Sequence, residues 1–216
     1  MKNVLRSCCA VLMCVAGASA GVLDEPTDLD LSGVVKAINF GNTTNQVIGG
    51  VTFLAAPANS TVDEVKNVAQ GMVSAGQGVQ TLPELGDGKD DDALEQLLGT
   101  SVFGWDGGTN IGLAIPVPNG FYRVQLILYD GWQSVTGNRR DVDHYVEGSL
   151  AAANHQDYVQ QNNTPHAGSI AAYVFEVTDG QIDIEVVGLI PNAHLSGLII
   201  SKLSPAAGQK APALKP

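Results

Sequence analysis

Successive stretches of this chain alternate apolar and polar residues with the two-residue period of a β-strand, and that pattern constrains the fold more than any other feature. The stretches are Val34 to Phe40, Val47 to Leu54, Ile111 to Val117, Phe121 to Tyr129, Asp143 to Val146, Ile170 to Val177, Ile182 to Val187 and Leu195 to Leu203. Helical patterning is confined to Val62 to Ala69 and Ala93 to Leu98. Neither stretch recurs between strands as a parallel α/β sheet would require. The class that follows is all-β, an antiparallel β-sandwich of the jelly-roll, galactose-binding-like kind with one or two short helices. In the stretch from Phe121, Tyr122, Val124, Leu126 and Leu128 fall on one face and Arg123, Gln125 and Ile127 on the other, which predicts a sheet with one wet side. Asn119-Gly120 and Asp179-Gly180 supply residues that tolerate positive φ, and the second is predicted to close a hairpin between Val177 and Ile182.

The chain opens with Lys2 and Arg6, then an apolar run from Cys8 to Ala16 that ends at Ala18-Ser19-Ala20. A charged start, a short apolar centre and small residues at the end are the signature of a secretory signal peptide. The expected organisation is a signal peptide over 1–20, one sandwich domain over 21–203 and a flexible tail over 204–216. The expected location is extracellular or periplasmic. The apolar run is too short for a membrane span, which needs about 20 residues. All three cysteines, Cys8, Cys9 and Cys14, lie in the leader, so disulfides do not hold the domain together. The roughly 195 residues that follow are enough to bury a large core without them. With 22 acidic against 11 basic residues the net charge is −11, which repels nucleic-acid backbones and anionic lipid surfaces.

No nucleophile elbow, phosphate-binding glycine loop or cysteine nucleophile is present, and nothing singles out a carboxylate pair for glycoside hydrolysis. A catalytic role is therefore not assigned to any residue. His144, His155, His166 and His194 are scattered without the spacing of a helical zinc site, so no metal ligand is assigned either. Asp87-Gly88-Lys89-Asp90-Asp91-Asp92, with Glu95, has two readings: carboxylates that cap the helix from Ala93 to Leu98, or a structural calcium site. The segment Arg139-Arg140-Asp141-Val142-Asp143-His144 also reads two ways, as an edge strand with locally paired charges or as part of a ligand site.

The aromatic residues carry more information. Trp105 sits in Phe103-Gly104-Trp105-Asp106-Gly107-Gly108 and Trp132 in Tyr129-Asp130-Gly131-Trp132-Gln133, both turn-rich and polar. A sugar offers a flat C–H face and a ring of hydroxyls, so its receptor needs an aromatic platform beside carboxylate, amide or guanidinium groups. Both segments provide that pairing. The competing reading is that each indole plugs the end of the core with its N–H bonded to a carbonyl.

The order of these features resembles malectin and malectin-like carbohydrate-binding domains. The resemblance runs from Val34-Val35-Lys36-Ala37-Ile38-Asn39-Phe40-Gly41 and Val51-Thr52-Phe53, through Leu97-Leu98-Gly99-Thr100-Ser101-Val102-Phe103-Gly104 and Ile115-Pro116-Val117-Pro118-Asn119-Gly120-Phe121, to Asp130, Trp132, the segment Arg140 to Gly148, Asp179-Gly180-Gln181 and the stretch Asn192 to Ile200. It implies a single sandwich that binds a glycan without catalysis. Trp132 and either Trp105 or Phe103 would stack on the sugar. Asp130, Asp106, Arg139 and Arg140 would bond its hydroxyls, assisted by Asn192 or His194. The chain departs from the family pattern at Gln133, where a second aromatic is expected, and at Pro191, where an aspartate is expected. The rival reading is a cell-surface protein-interaction module with the same sandwich and no sugar site.

Overall fold

The computed structural model describes residues 17–57, 73–75, 83–104, 110–131, 140–160, 162–190 and 192–204. Its strands are β1 (Gly17–Leu23), β2 (Val34–Phe40), β3 (Gln46–Ile48), β4 (Val51–Ala56), β5 (Val73–Ala75), β6 (Val102–Gly104), β7 (Ile111–Pro116), β8 (Gly120–Leu128), β9 (Asp141–Val146), β10 (Ser149–His155), β11 (Gly168–Val177), β12 (Gln181–Ile190), β13 (His194–Leu195) and β14 (Gly197–Leu203). The helix α1 (Lys89–Leu98) and a one-turn helix, Asp157–Gln160, complete the main elements. The expected all-β sandwich is the observed class.

A seven-stranded sheet in the order β1-β11-β8-β14-β2-β4-β3 faces a four-stranded sheet in the order β10-β9-β12-β7, and β13-β6-β5 form a small third sheet. Pairing is antiparallel except between β2 and β4, where Ile38 lies beside Leu54 in parallel register. The stretch expected as one strand from Val47 to Leu54 is two, β3 and β4, folded at Gly49 and Gly50 with φ of +55° and +79°. The core between the large sheets takes the inward residues of the alternation: Tyr122, Val124, Leu126 and Leu128 of β8 meet Val142 and Val146 of β9 and Ile182, Ile184 and Val186 of β12. Each fully buried aliphatic or aromatic side chain contributes about 1.5–3 kcal/mol.

The expected hairpin at Asp179-Gly180 is not one. Gly180 does adopt φ +85°, but β11 pairs with β8 while β12 pairs with β7, so the turn carries the chain from one sheet to the other. The connection from β7 to β8 crosses beside it, and the Val117 N–H donates to the Gly180 carbonyl at 3.0 Å. Turn chemistry fixes the local bend, whereas packing of the two sheets decides which strands pair.

The outer face of β8 is also drier than the alternation suggests. Ile127 joins Ala37, Phe53 and Ile199 beneath Leu94, Leu97 and Leu98 of α1. Gln125 is buried there, its side-chain amide donating to the Asp30 carbonyl at 2.8 Å and its oxygen accepting the Asp30 N–H at 3.0 Å. Arg123 pairs with the Asp30 carboxylate. The helix begins four residues before Ala93, and the capping reading of its acidic run holds: the Gly88 N–H donates to Asp91 Oδ2 at 3.0 Å, completing one of the open donors at the helix start. Asp90 instead accepts the Gly49 N–H at 2.9 Å and Glu95 the Leu85 N–H at 2.7 Å, which ties the helix to its neighbours. Among the described residues no group of histidine, cysteine or acidic side chains could hold a metal ion. No described helix is long and apolar enough to cross a membrane.

Candidate functional site

Four of the residues selected from the sequence, Trp105, Asp106, Trp132 and Arg139, lie outside the described residues, as does the helical stretch from Val62 to Ala69. Of the other five, Phe103, Asp130 and Arg140 lie next to the tryptophan-bearing segments, and Asn192 and His194 lie in or just before the strand paired with β6. Phe103 is in β6, and His194 of β13 is its ladder partner. Asn192 is half-buried two residues before His194. Asp130 and Arg140 close the ends of segment 132–139: Arg140 Nε donates to Asp130 Oδ1 at 3.3 Å, and the Arg140 N–H faces Oδ2 at 3.4 Å. Asp130 is buried, and that burial raises its carboxyl to about 6 even though the Arg140 charge pulls it down.

The described part of the segment expected as an edge strand, Asp141 to His144, is not at an edge. Strand β9 lies between β10 and β12, and Arg140 pairs with Asp130. Alternation along β9 turns His144 inward with Val142 and Val146, as the sequence pattern requires. His144 Nδ1 lies 2.6 Å from the Tyr173 hydroxyl of β11, and both residues are buried.

The next strand supplies residues that sequence reasoning did not select. β10 is bulged between Ala152 and His155, and Asn154 in the bulge has φ +53° with its N–H bonded to Asp143 Oδ1 at 2.8 Å. A bulge changes which face a side chain meets. Here it turns His155 under the sheet end, where its ring centroid lies 4.8 Å from that of His144. The one-turn helix then begins with Asp157, whose side chain is fully buried. One Asp157 oxygen lies 3.1 Å from His155 Nε2 and the other 3.3 Å from His194 Nε2.

Three histidines far apart in sequence therefore gather around a single carboxylate. Burial pushes the Asp157 carboxyl up, but the imidazoles of His194, His155 and His144 outweigh it and hold the group below the ordinary range. Burial, and then electrostatic repulsion from the His155 imidazole, lowers His144 to about 3. Burial, and then the Arg140 guanidinium, does the same to His194. No linear spacing betrays this cluster; the inward phase of His144 on β9 was its one legible signal. The fourth histidine, His166, is exposed on a turn elsewhere.

The cluster joins the borders of both tryptophan segments. Asp157 reaches His194 and, through the β13–β6 ladder, the strand that leads into 105–109. Arg140 and Asp130, which bound 132–139, feel the same buried charges.

No protein-family model matches the chain. No curated protein matches it in sequence. Solved structures match it in shape. The ANXUR1 extracellular domain from Arabidopsis thaliana superposes with a TM-score of 0.61 over 85% of this chain at 13% identity. The plant receptor-like kinase FER does so with 0.58 over 83% at 14% identity. The fold is malectin-like. A Bacteroides uniformis β-glucuronidase also matches, with a TM-score of 0.58 over 78% of this chain at 14% identity, but this chain covers only 18% of that enzyme. It spans about half of the two plant proteins, 51% of the first and 52% of the second. At these identities the likeness concerns the malectin-like fold, and side-chain chemistry must be argued from this chain itself.

Proposed function

We propose that this chain is a secreted, non-catalytic carbohydrate-binding domain that holds a glycan at the sheet end where segments 105–109 and 132–139 emerge. The observation that carries the reading is that Phe103, Asp130 and Arg140, next to those segments, and Asn192 and His194, next to β6, gather about the Asp157 cluster. In this reading Trp132 stacks on a sugar face, with Trp105 or Phe103 as the second platform. Arg139, Arg140 and Asp106 bond hydroxyls, and Asn192 supplies an amide. Asp130 and His194 are buried, so their share is to position Arg140 and the β13–β6 ladder from below. The malectin-like fold supports the assignment to an extracellular setting.

Replacing Trp132 with alanine tests it. The variant should run unretarded through a polysaccharide affinity gel that retains the parent, with its melting temperature within about 2 °C of the parent's. Loss of the folded state in that variant would return Trp132 to the core. The second reading, a cell-surface module that contacts protein instead of sugar, draws on the likeness to plant receptor-like kinases. It predicts a defined protein partner in pull-down and no glycan ligand at millimolar concentration.

A further inference from the structure

The buried histidines have a consequence that does not depend on the glycan reading. His155 of β10 and His194 of β13 each face one oxygen of a single carboxylate, Asp157, at 3.1 and 3.3 Å, and His144 of β9 lies against His155 with ring centroids 4.8 Å apart. Among the described residues, the other ionisable side chains near the cluster are Asp130, Arg140, Tyr173, Tyr129 and Asp141. Asp130 is engaged by Arg140, whose positive charge repels a protonated His194. Tyr173 bonds His144, Tyr129 donates to the Pro165 carbonyl at 2.7 Å, and Asp141 is buried at the start of β9. A closed corner thus disfavours charge on His144 and His194, whereas an opened one lets water reach them.

We propose that this His144–His155–Asp157–His194 cluster is a proton-operated latch, in which proton uptake by the imidazoles releases β13, its ladder partner β6 and the 157–160 turn from β9 and β10. The pH window follows from the two lowered histidines. Each contributes stability to the closed form above pH 6.5, and that contribution is lost as pH falls toward about 3. Taking 6.5 for an open imidazole and about 3 for a closed one, lowering the pH from 7.5 to 5 favours opening about 30-fold per histidine. Asp130 opposes this. Its carboxyl is raised to about 6 from 3.8, so between those values it favours the closed form, by about tenfold at pH 5. Asp157 is held low and stays ionised across the window. The net is an increase in opening on the order of 100-fold.

Amide hydrogen exchange on the whole chain, corrected for the intrinsic pH dependence, reads that equilibrium directly. Protection at 102–103, 157–160 and 194–195 should fall about 100-fold between pH 7.5 and pH 5, while amides of β8 and β14 change less than about threefold. In His194→Gln the fall should shrink to about threefold, because one of the two lowered imidazoles is gone. Constant protection in the parent, an equal fall in the variant, or a fall spread evenly over β8 and β14 would each overturn the latch. Ring NMR of the unmodified chain covers the case in which the variant does not fold. His144 and His194 should remain neutral in the native spectrum at pH 5.5, and titration of either near 6.5 would contradict the proposal.

Discussion

Replacing Gly188 with alanine probes a close backbone-to-backbone approach between the core sheet and the site-bearing segment. Gly188 lies on β12 opposite Val142. A Cβ built there would stand 2.4 Å from the Ala193 nitrogen, 2.8 Å from the Asn192 carbonyl carbon and 3.2 Å from its Cα. Ordinary carbon contacts begin near 3.5 Å, so segment 192–193 must shift by about 1 Å. Backbone lies on both sides, and no flexible side chain can give way. Overpacking of this kind costs about 1–3 kcal/mol, and the stiffer unfolded chain that alanine brings returns about 0.4–1 kcal/mol. The net destabilisation is about 1–2 kcal/mol, which at about 2–4 °C per kcal/mol lowers the melting temperature by roughly 2–8 °C. Because His194 directly follows Ala193, its reach to Asp157 is disturbed as well, and amide protection at 194–195 should drop beyond the global change. Gly148→Ala is the matched control: φ there is +70° and nothing lies within 4 Å, so it should cost about 1–2 kcal/mol without touching His194. Calorimetry and hydrogen exchange on both variants decide the matter. A Gly188→Ala protein that melts at or above the parent temperature would refute the close approach and the coupling argued from it.

Tyr173→Phe deletes the hydroxyl 2.6 Å from His144 Nδ1 in a dry environment, so it should lower stability by about 1–3 kcal/mol in urea unfolding with an unchanged slope. A neutral result would mean that this pair is not closed in solution. Asp91→Ala removes the acceptor of the Gly88 N–H and should cost about 0.5–2 kcal/mol, read as lost amide protection over α1, while Asp91→Asn keeps most of it.

These outcomes bear on what a sequence can disclose. The inward phase of β8 follows from side-chain alternation alone, which is why Tyr122, Val124, Leu126 and Leu128 share the core face. Whether Gln125 and Ile127 are wet depends on a helix that arrives from elsewhere in the chain, and no periodicity within β8 can report it. The Asp179-Gly180 turn was legible as a turn but not as a passage between sheets, because partner choice is a property of the assembled layers. Gly49-Gly50 is a turn signal set inside an apolar stretch, whose continuous hydrophobicity masks it. The site shows the same division. Asp130 and Arg140 stand out as polar residues beside a turn-rich aromatic segment and His194 through the family resemblance, whereas His155 is turned by the bulge at Asn154, which no sequence pattern announces. The expected cleavage before Gly21 falls within β1, whose residues from Gly17 to Ala20 pair with Val174 to Ala171 of β11.

Titration of oligosaccharides into the folded chain, followed by the backbone amide signals of Phe103, Arg140 and Asn192, tests the central claim most directly. A glycan-binding domain should show saturable shifts at those amides with a dissociation constant of about 1 mM or tighter, and little change in the strands at the far end of the sandwich. If no member of a broad oligosaccharide panel moves them at about 10 mM while the chain stays folded, this sheet end does not bind sugar.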